Sequence, residues 1–129
     1  MKTISLSLIF LFALASCSSE KIFPVSPKTP AAKITVKQKK DKNNNYHISV
    51  SAKNLASPDR LEPARKVYVI WITTKNNGIK NIGQLNNENA ENSGLETVTA
   101  FEPKEIFITA EEAGNVSYPS NFEISRISL

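Results

Sequence analysis

The stretch KVYVIWIT, residues 66–73, is apolar on both faces of an extended strand and decides which fold we expect. Side chains alternate between the two faces of a strand. Three side chains share each face here: Val67, Val69 and Trp71 on one, and Tyr68, Ile70 and Ile72 on the other. Because a strand buried on both faces needs a covering layer on each side, this stretch predicts the central strand of a layered β-protein.

Six other segments have strand patterns. Before the central strand these are KITVKQ (33–38) and YHISVSAK (46–53), and after it IKNIGQL (79–85), LETVTAF (95–101), EIFITAE (105–111) and FEISRISL (122–129). Asn77-Gly78 is typical of a type I′ hairpin turn, whose two central residues have positive φ. Short strands separated by turns predict an all-β, seven-stranded antiparallel immunoglobulin-like sandwich over residues 33–129. A small open barrel is the alternative.

The first sixteen residues predict an export signal. Lys2 precedes an apolar stretch from Ile4 to Ala15, which is shorter than the about 20 residues of a membrane span and fits a secretory signal. Leu14-Ala15-Ser16-Cys17 resembles the lipobox of bacterial lipoproteins. That resemblance implies cleavage before Cys17, diacylglycerol on its sulfur and a fatty acid such as palmitate on the new amino terminus. The alternative, a plain signal peptide, leaves the only cysteine of the chain unexplained.

These features divide the chain into a lipoprotein signal peptide (1–16), the lipidated Cys17 with an extended linker (17–32), and a β-sandwich domain (33–129). Three prolines and no periodicity in residues 18–32 predict a spacer of about 3.1 Å per residue, although Ile22, Phe23 and Val25 are unusual in a linker. We expect a lipid-anchored protein of the bacterial cell envelope, in the outer rather than the inner membrane. Its domain would lie in the periplasm or at the cell surface.

Composition narrows the classes of partner. The 16 basic and 12 acidic residues give a net charge of +4, and the diffuse spread of the basic residues argues against nucleic acid as a partner. Lys37, Lys39, Lys40 and Lys42 are the one local cluster, which fits either a solvated hairpin tip or contact with anionic lipid headgroups. With one cysteine, the fold has no internal disulfide and depends on its apolar core.

No catalytic or metal-binding pattern stands out. His47 is the only histidine, and no acidic residue adjoins it in sequence, so we expect a surface histidine rather than part of a catalytic triad. Glu111 and Glu112 are adjacent and point apart in a strand, and the isolated glycines form no phosphate-binding loop. We assign no catalytic, metal-binding or cofactor-binding residue and expect that the protein is not an enzyme. A hydrolase that uses His47 is the alternative.

Trp71 is the most informative apolar residue. It lies on the third of seven predicted strands, as does the tryptophan of immunoglobulin-type cores. We expect Trp71 to be mostly buried against Ile48, Val50 and the strand that contains Ile106 and Ile108. The alternative is an exposed aromatic platform for a ligand.

Residues 63–128 resemble the extracytoplasmic β-sandwich domain of anti-sigma-K-type factors. The positions that carry the resemblance are Tyr68, Trp71, Gly83, Thr109, Ala110, Glu111 and Pro119. The resemblance implies a sandwich fold and an exported location. Anti-sigma factors also need a cytoplasmic segment and a transmembrane helix, neither of which this sequence predicts, so control of a sigma factor by this chain alone is not expected.

Two hypotheses on function remain. In the first, a membrane-anchored envelope lipoprotein presents a non-catalytic domain to an envelope protein or glycan through its loops, Asn54 to Glu62 or Asn86 to Ser93. In the second, the domain senses a ligand or stress, as the anti-sigma domains do, and acts through a separate membrane partner. An apolar pocket lined by Tyr68, Ile70 and Ile72 would favour the second hypothesis.

Overall fold

The computed structural model describes residues 19–76 and 78–129, which form an all-β fold of two antiparallel sheets. Nine strands occur in these residues: β1 (Ser19–Ile22), β2 (Lys33–Lys40), β3 (Tyr46–Lys53), β4 (Val67–Thr74), β5 (Gly78–Gln84), β6 (Asn86–Asn89), β7 (Asn92–Thr99), β8 (Pro103–Glu111) and β9 (Glu123–Ser128). One 3-10 turn, Pro58–Arg60, lies between β3 and β4. The predicted signal peptide and Cys17 lie outside the described residues.

The strands divide between two sheets. Sheet 1 has the order β1-β2-β3-β7-β6, and sheet 2 has the order β5-β4-β8-β9. The central strand predicted from residues 66–73 is β4, which pairs with β5 on one side and β8 on the other. Gly78, the second residue of the predicted hairpin turn, has the positive φ of 71° that such a turn requires.

The core lies between the two sheets. It takes alternate residues of the four most buried strands: Ile34 and Val36 of β2, Ile48, Val50 and Ala52 of β3, Tyr68, Ile70 and Ile72 of β4, and Ile106, Ile108 and Ala110 of β8. Each strand therefore contributes one face to the core, as the period of two requires. The prediction of an all-β protein with two antiparallel layers is confirmed.

Two of the nine strands were not among the seven that the sequence predicts. β1 and the residues after it occupy the segment predicted as an extended spacer: β1 pairs with β2, and Phe23 is only 3% exposed. The Phe23 amide donates a hydrogen bond to the Ile34 carbonyl over 2.9 Å. β6 lies in the segment predicted as an irregular polar loop and pairs with β7, which begins three residues earlier than predicted.

The antiparallel strands give the sandwich two distinct ends. We call one the hairpin end; it contains the β2–β3 turn (41–45), the β4–β5 connection and the β7–β8 connection (100–102). The other, the crossover end, contains the β3–β4 connection (54–66), Leu85 between β5 and β6, and the β8–β9 connection (112–122). Ser19 pairs with Gln38 of β2, so the described chain begins at the hairpin end.

Candidate functional site

The two loops predicted to bind a partner meet at the crossover end. The Leu55 amide donates a hydrogen bond to the Ala90 carbonyl over 3.1 Å. The side-chain amide of Asn87 donates to the Leu55 carbonyl over 3.3 Å and to the Ser93 hydroxyl over 2.7 Å. Because the two bonds to Leu55 join segments more than 30 residues apart, the two predicted loops form one continuous surface.

A cleft of about 390 Å³ opens between these loops and sheet 2. Its lining is mainly polar and consists of Ser57, Pro58, Lys66, Val67, Tyr68 and Gln84 to Glu88. A smaller cavity of about 270 Å³ lies beside it and shares Ser57, Asn87 and Glu88. The side-chain oxygen of Asn87 is buried and accepts no hydrogen bond from the described residues.

Tyr68 fixes the floor of this cleft. Its ring is fully buried in the core, and its hydroxyl donates a hydrogen bond to the Ala56 carbonyl over 2.6 Å. Burial, together with the negative charge of Asp59, raises the pKa of Tyr68 to about 12. The Arg65 amide donates to the Pro58 carbonyl over 2.9 Å and closes the connection on itself. The β3–β4 connection is therefore tied to the core rather than free.

His47 has an acidic neighbour that the sequence reasoning missed. Its Nε2 lies 2.9 Å from the Asp41 carboxylate across the β2–β3 turn, and about half of its side chain is exposed. Asp41 also accepts hydrogen bonds from the amides of Asn43 and Asn45. The bond from His47, followed by those from the backbone amides, lowers the pKa of Asp41. The turn brings these groups together, although six residues separate them in sequence.

A groove of about 450 Å³ runs beside His47 on the outer face of sheet 1. Its polar and charged lining includes Lys37, Lys39, Ser49 and Glu96. Within the described chain, the His47 ring is hydrogen-bonded to Asp41, and no serine hydroxyl is bonded to that ring. An Asp–His pair that holds no nucleophile stabilises the turn but does not supply the serine of a catalytic triad.

Metal-binding clusters and membrane-spanning helices both bear on function. No group of three or more histidine, cysteine or carboxylate side chains in residues 19–76 and 78–129 is placed to hold a metal ion. Within the part of the chain that the structure describes, no helix is long and apolar enough to cross a membrane.

Trp71 is buried as predicted, but not where the sequence placed it. Its side chain is fully buried on the outer face of sheet 2, where it stacks on Phe107 with ring centroids 6.2 Å apart. The expected contact with Ile48 and Val50 is wrong, because those residues pack against the opposite face of β4. Val116 of the β8–β9 connection packs against this outer cluster, and the Arg126 guanidinium lies 4.0 Å from the Phe107 ring centroid.

A series of buried hydrogen bonds supports Trp71. Its indole Nε1 donates a hydrogen bond to the Thr109 hydroxyl over 2.8 Å, and that hydroxyl donates to the Glu111 carboxylate over 2.6 Å. The Ser120 amide donates to the same carboxylate over 2.8 Å. Glu111, which is only 5% exposed, thus holds the β8–β9 connection over the aromatic cluster. Sequence reasoning named Thr109 as part of a resemblance, considered Glu111 there and as a metal ligand, and missed this role.

The face of β4 opposite Trp71 is closed. Tyr68, Ile70 and Ile72 are fully buried in the core between the sheets. The apolar pocket that would favour a sensory domain is therefore not formed by these three side chains, although Tyr68 also reaches the polar cleft.

Comparisons with known proteins add no assignment. No protein-family model, no curated protein and no solved structure matches this chain. The lipidation predicted at Cys17 lies outside the described residues. The cleft at the crossover end and the position of Ser19 at the hairpin end are the two features that bear on function.

Proposed function

We propose that the protein is an envelope lipoprotein, anchored through acylated Cys17, that presents a non-catalytic sandwich domain to an envelope protein or glycan. One observation carries the proposal: the described chain begins at the hairpin end, whereas the polar cleft lies at the crossover end. An anchor at Cys17 would then hold the cleft on the side of the domain away from the membrane. Strands of eight residues at about 3.3 Å each put the cleft about 25 Å from the anchor.

We also propose an immunoglobulin-like topology for this domain. In that topology strands A, B, E and D form one sheet, and strands C, F and G form the other. The order β2-β3-β7-β6 supports the first assignment, and β4-β8-β9 supports the second, with β5 as the added strand next to C. β1 lies outside this scheme, as an additional edge strand beside β2.

The chemistry of the cleft supports a polar partner. Amide and carboxylate groups from Asn86, Asn87 and Glu88 line it beside the Lys66 and Ser57 side of the β3–β4 connection. The exposed amide of Asn86 and the exposed carboxylate of Glu88 are suited to hydroxyl or amide donors. Side chains on loops that rigid sheets hold in place are a common basis for recognition. The hydroxyl groups of a glycan and the backbone of a polar peptide both meet this requirement.

Two measurements test the proposal. Metabolic labelling with a clickable fatty acid should label the protein, and Cys17→Ala should abolish both labelling and membrane fractionation. A photo-crosslinking residue at Glu88 in the cleft should then capture an envelope component, with the same residue at Asn43 of the hairpin end as control. Labelling that survives Cys17→Ala, or crosslinks that are no stronger at position 88 than at position 43, would contradict the proposal.

A further inference from the structure

The first strand begins at one end of the sandwich. Ser19 pairs with Gln38, two residues before the end of β2, so β1 begins at the hairpin end and runs away from the β2–β3 turn. Cys17 precedes Ser19 by two residues in the sequence.

This end of the sandwich is rich in lysine. Six lysines lie on its turns and strand ends: Lys39, Lys40, Lys42, Lys75, Lys80 and Lys104. The carboxylates nearby are engaged: Asp41 bonds His47, Glu102 pairs with Lys104, and Glu105 pairs with Arg126. The crossover end instead carries most of the exposed acids, namely Asp59, Glu62, Glu88, Glu91 and Glu112. At that end Lys33, Lys53, Arg60, Arg65 and Lys66 offset these acids, so the domain has one basic end and one end where opposite charges balance.

Exposed apolar side chains accompany these lysines. Phe101 is 38% exposed, and the Lys80 ammonium lies 4.8 Å from its ring centroid. Val98 is 53% exposed on the adjoining end of β7, level with Lys39 in the register of sheet 1. Lysines beside aromatic and aliphatic side chains are typical of surfaces that lie in the headgroup region of a bilayer.

We propose that the hairpin end docks on the anionic surface of the membrane that holds the lipid anchor. The inference rests on the proposed anchoring at Cys17, which would bring this end within a few ångströms of the headgroups. Each lysine close to an anionic surface strengthens binding about fivefold. The anchor and the attraction of the basic end act in the same sense. Together they hold the domain upright, with the polar cleft directed away from the bilayer.

Vesicle binding by the chain without its lipid tests this proposal. The mature chain, residues 17–129 with Cys17→Ser, is mixed at about 50 mM salt with vesicles of phosphatidylcholine, with or without about one third phosphatidylglycerol. We expect co-sedimentation with the anionic vesicles only, and release at 0.5 M salt, where charges are screened over about 3–4 Å. The double variant Lys39→Gln, Lys42→Gln should bind about 25-fold more weakly.

A matched variant separates docking from general attraction of a basic protein. Lys53→Gln, Lys66→Gln removes the same charge from exposed positions at the crossover end and should bind anionic vesicles as the unsubstituted chain does. Equal losses in the two double variants, or no binding to anionic vesicles at low salt, would overturn the proposal. Because this assay contains no acylated protein, failure here is distinct from failure of fatty-acid labelling at Cys17.

Discussion

Trp71 lies on the outer face of its sheet and is nevertheless fully buried. Three groups cover or support it: the Phe107 ring, the Thr109 hydroxyl and the connection that packs through Val116. The side-chain amide of Asn81 donates hydrogen bonds to the carbonyls of Gly114 and Val116, each over 2.9 Å, and fixes that connection in place. The second face of β4 is thus covered by a loop rather than by the other sheet.

Replacing Trp71 tests whether this outer cluster stabilises the domain. Trp71→Ala removes a buried ring and leaves the Thr109 hydroxyl without its donor, so we expect a loss of about 3–5 kcal/mol from a total stability of about 5–15 kcal/mol. His47→Ala, which removes an exposed pair with Asp41, should cost less than about 1 kcal/mol. Urea unfolding of both variants measures the two losses. A nearly neutral Trp71→Ala would show that the cluster is an exposed platform.

The residue pattern of β4 predicts that its side chains are buried, but not which of its two faces points between the sheets. Both faces of residues 66–73 are apolar, so a period of two separates Trp71 from Ile70 without showing which of them points between the sheets. The same limit applies to His47 and Asp41, which are six residues apart and meet only because the β2–β3 turn reverses the chain. Asp41 is the acidic residue nearest to His47 in sequence, but only the turn brings its carboxylate to the ring.

β1 and the turn after it show how an edge element escapes a pattern-based prediction. Three prolines between residues 24 and 30 favour a spacer, yet proline is also tolerated beside edge strands. Phe23 lies between the end of β1 and the first of these prolines, and its side chain enters the core. The Pro24 carbonyl accepts a hydrogen bond from the Ser125 hydroxyl over 2.7 Å. The buried Phe23 side chain, the pairing of β1 with β2 and the hydrogen bonds of Phe23 and Pro24 together attach the segment to the domain.

Two neighbouring residues of this segment give a matched test. Phe23→Ala removes a buried ring from the core and should lower the free energy of unfolding by about 3–5 kcal/mol. Ile22→Ala, one residue earlier, removes a side chain that is 59% exposed and should change it by less than about 0.5 kcal/mol. Urea unfolding and proteolysis at the N-terminal segment would both report the difference. Equal, small effects would show that residues 19–32 are a spacer after all.

β6 was missed for a different reason. Its residues are polar and almost fully exposed, so it has no buried face to produce alternation in the sequence. Side-chain bonds to the backbone shape it instead: Asn86 accepts from the Glu88 amide, and Asn89 accepts from the Glu91 amide over 2.9 Å. Asparagines in such local bonds favour turns as readily as strands, which explains the expectation of a loop.

At the scale of the whole molecule, the layers could be predicted but the pairing of strands could not. The strand patterns of seven segments were enough to predict two antiparallel layers that pack together. That β3 pairs with β7, and β4 with β8, depends on contacts between segments some 40 residues apart, which no local period records. The cleft depends on these pairings. Its two loops could therefore be identified from the sequence, but their contact with each other could not be predicted.

At the crossover end, a side-chain hydrogen bond joins sheet 2 to the connection that leaves sheet 1. The Tyr68 hydroxyl, on β4 of sheet 2, holds the Ala56 carbonyl in the segment that leaves sheet 1. Burial raises the pKa of this hydroxyl from its usual 10.0 to about 12 in the folded protein. Below about pH 10 the tyrosine is protonated in both the folded and the unfolded chain, so this group adds no pH dependence there.

Alkaline unfolding should therefore reveal Tyr68. Between about pH 10 and pH 12 the unfolded chain loses the hydroxyl proton while the folded chain keeps it, so the free energy of unfolding falls as the pH rises. In Tyr68→Phe this part of the decline should vanish, while at pH 7 the lost hydrogen bond should cost about 1 kcal/mol. All other side chains are the same in the two proteins, so the difference between their declines reports Tyr68. Urea melts at pH 7, 9, 10 and 11 measure both effects, and parallel declines above pH 10 would contradict a raised pKa for Tyr68.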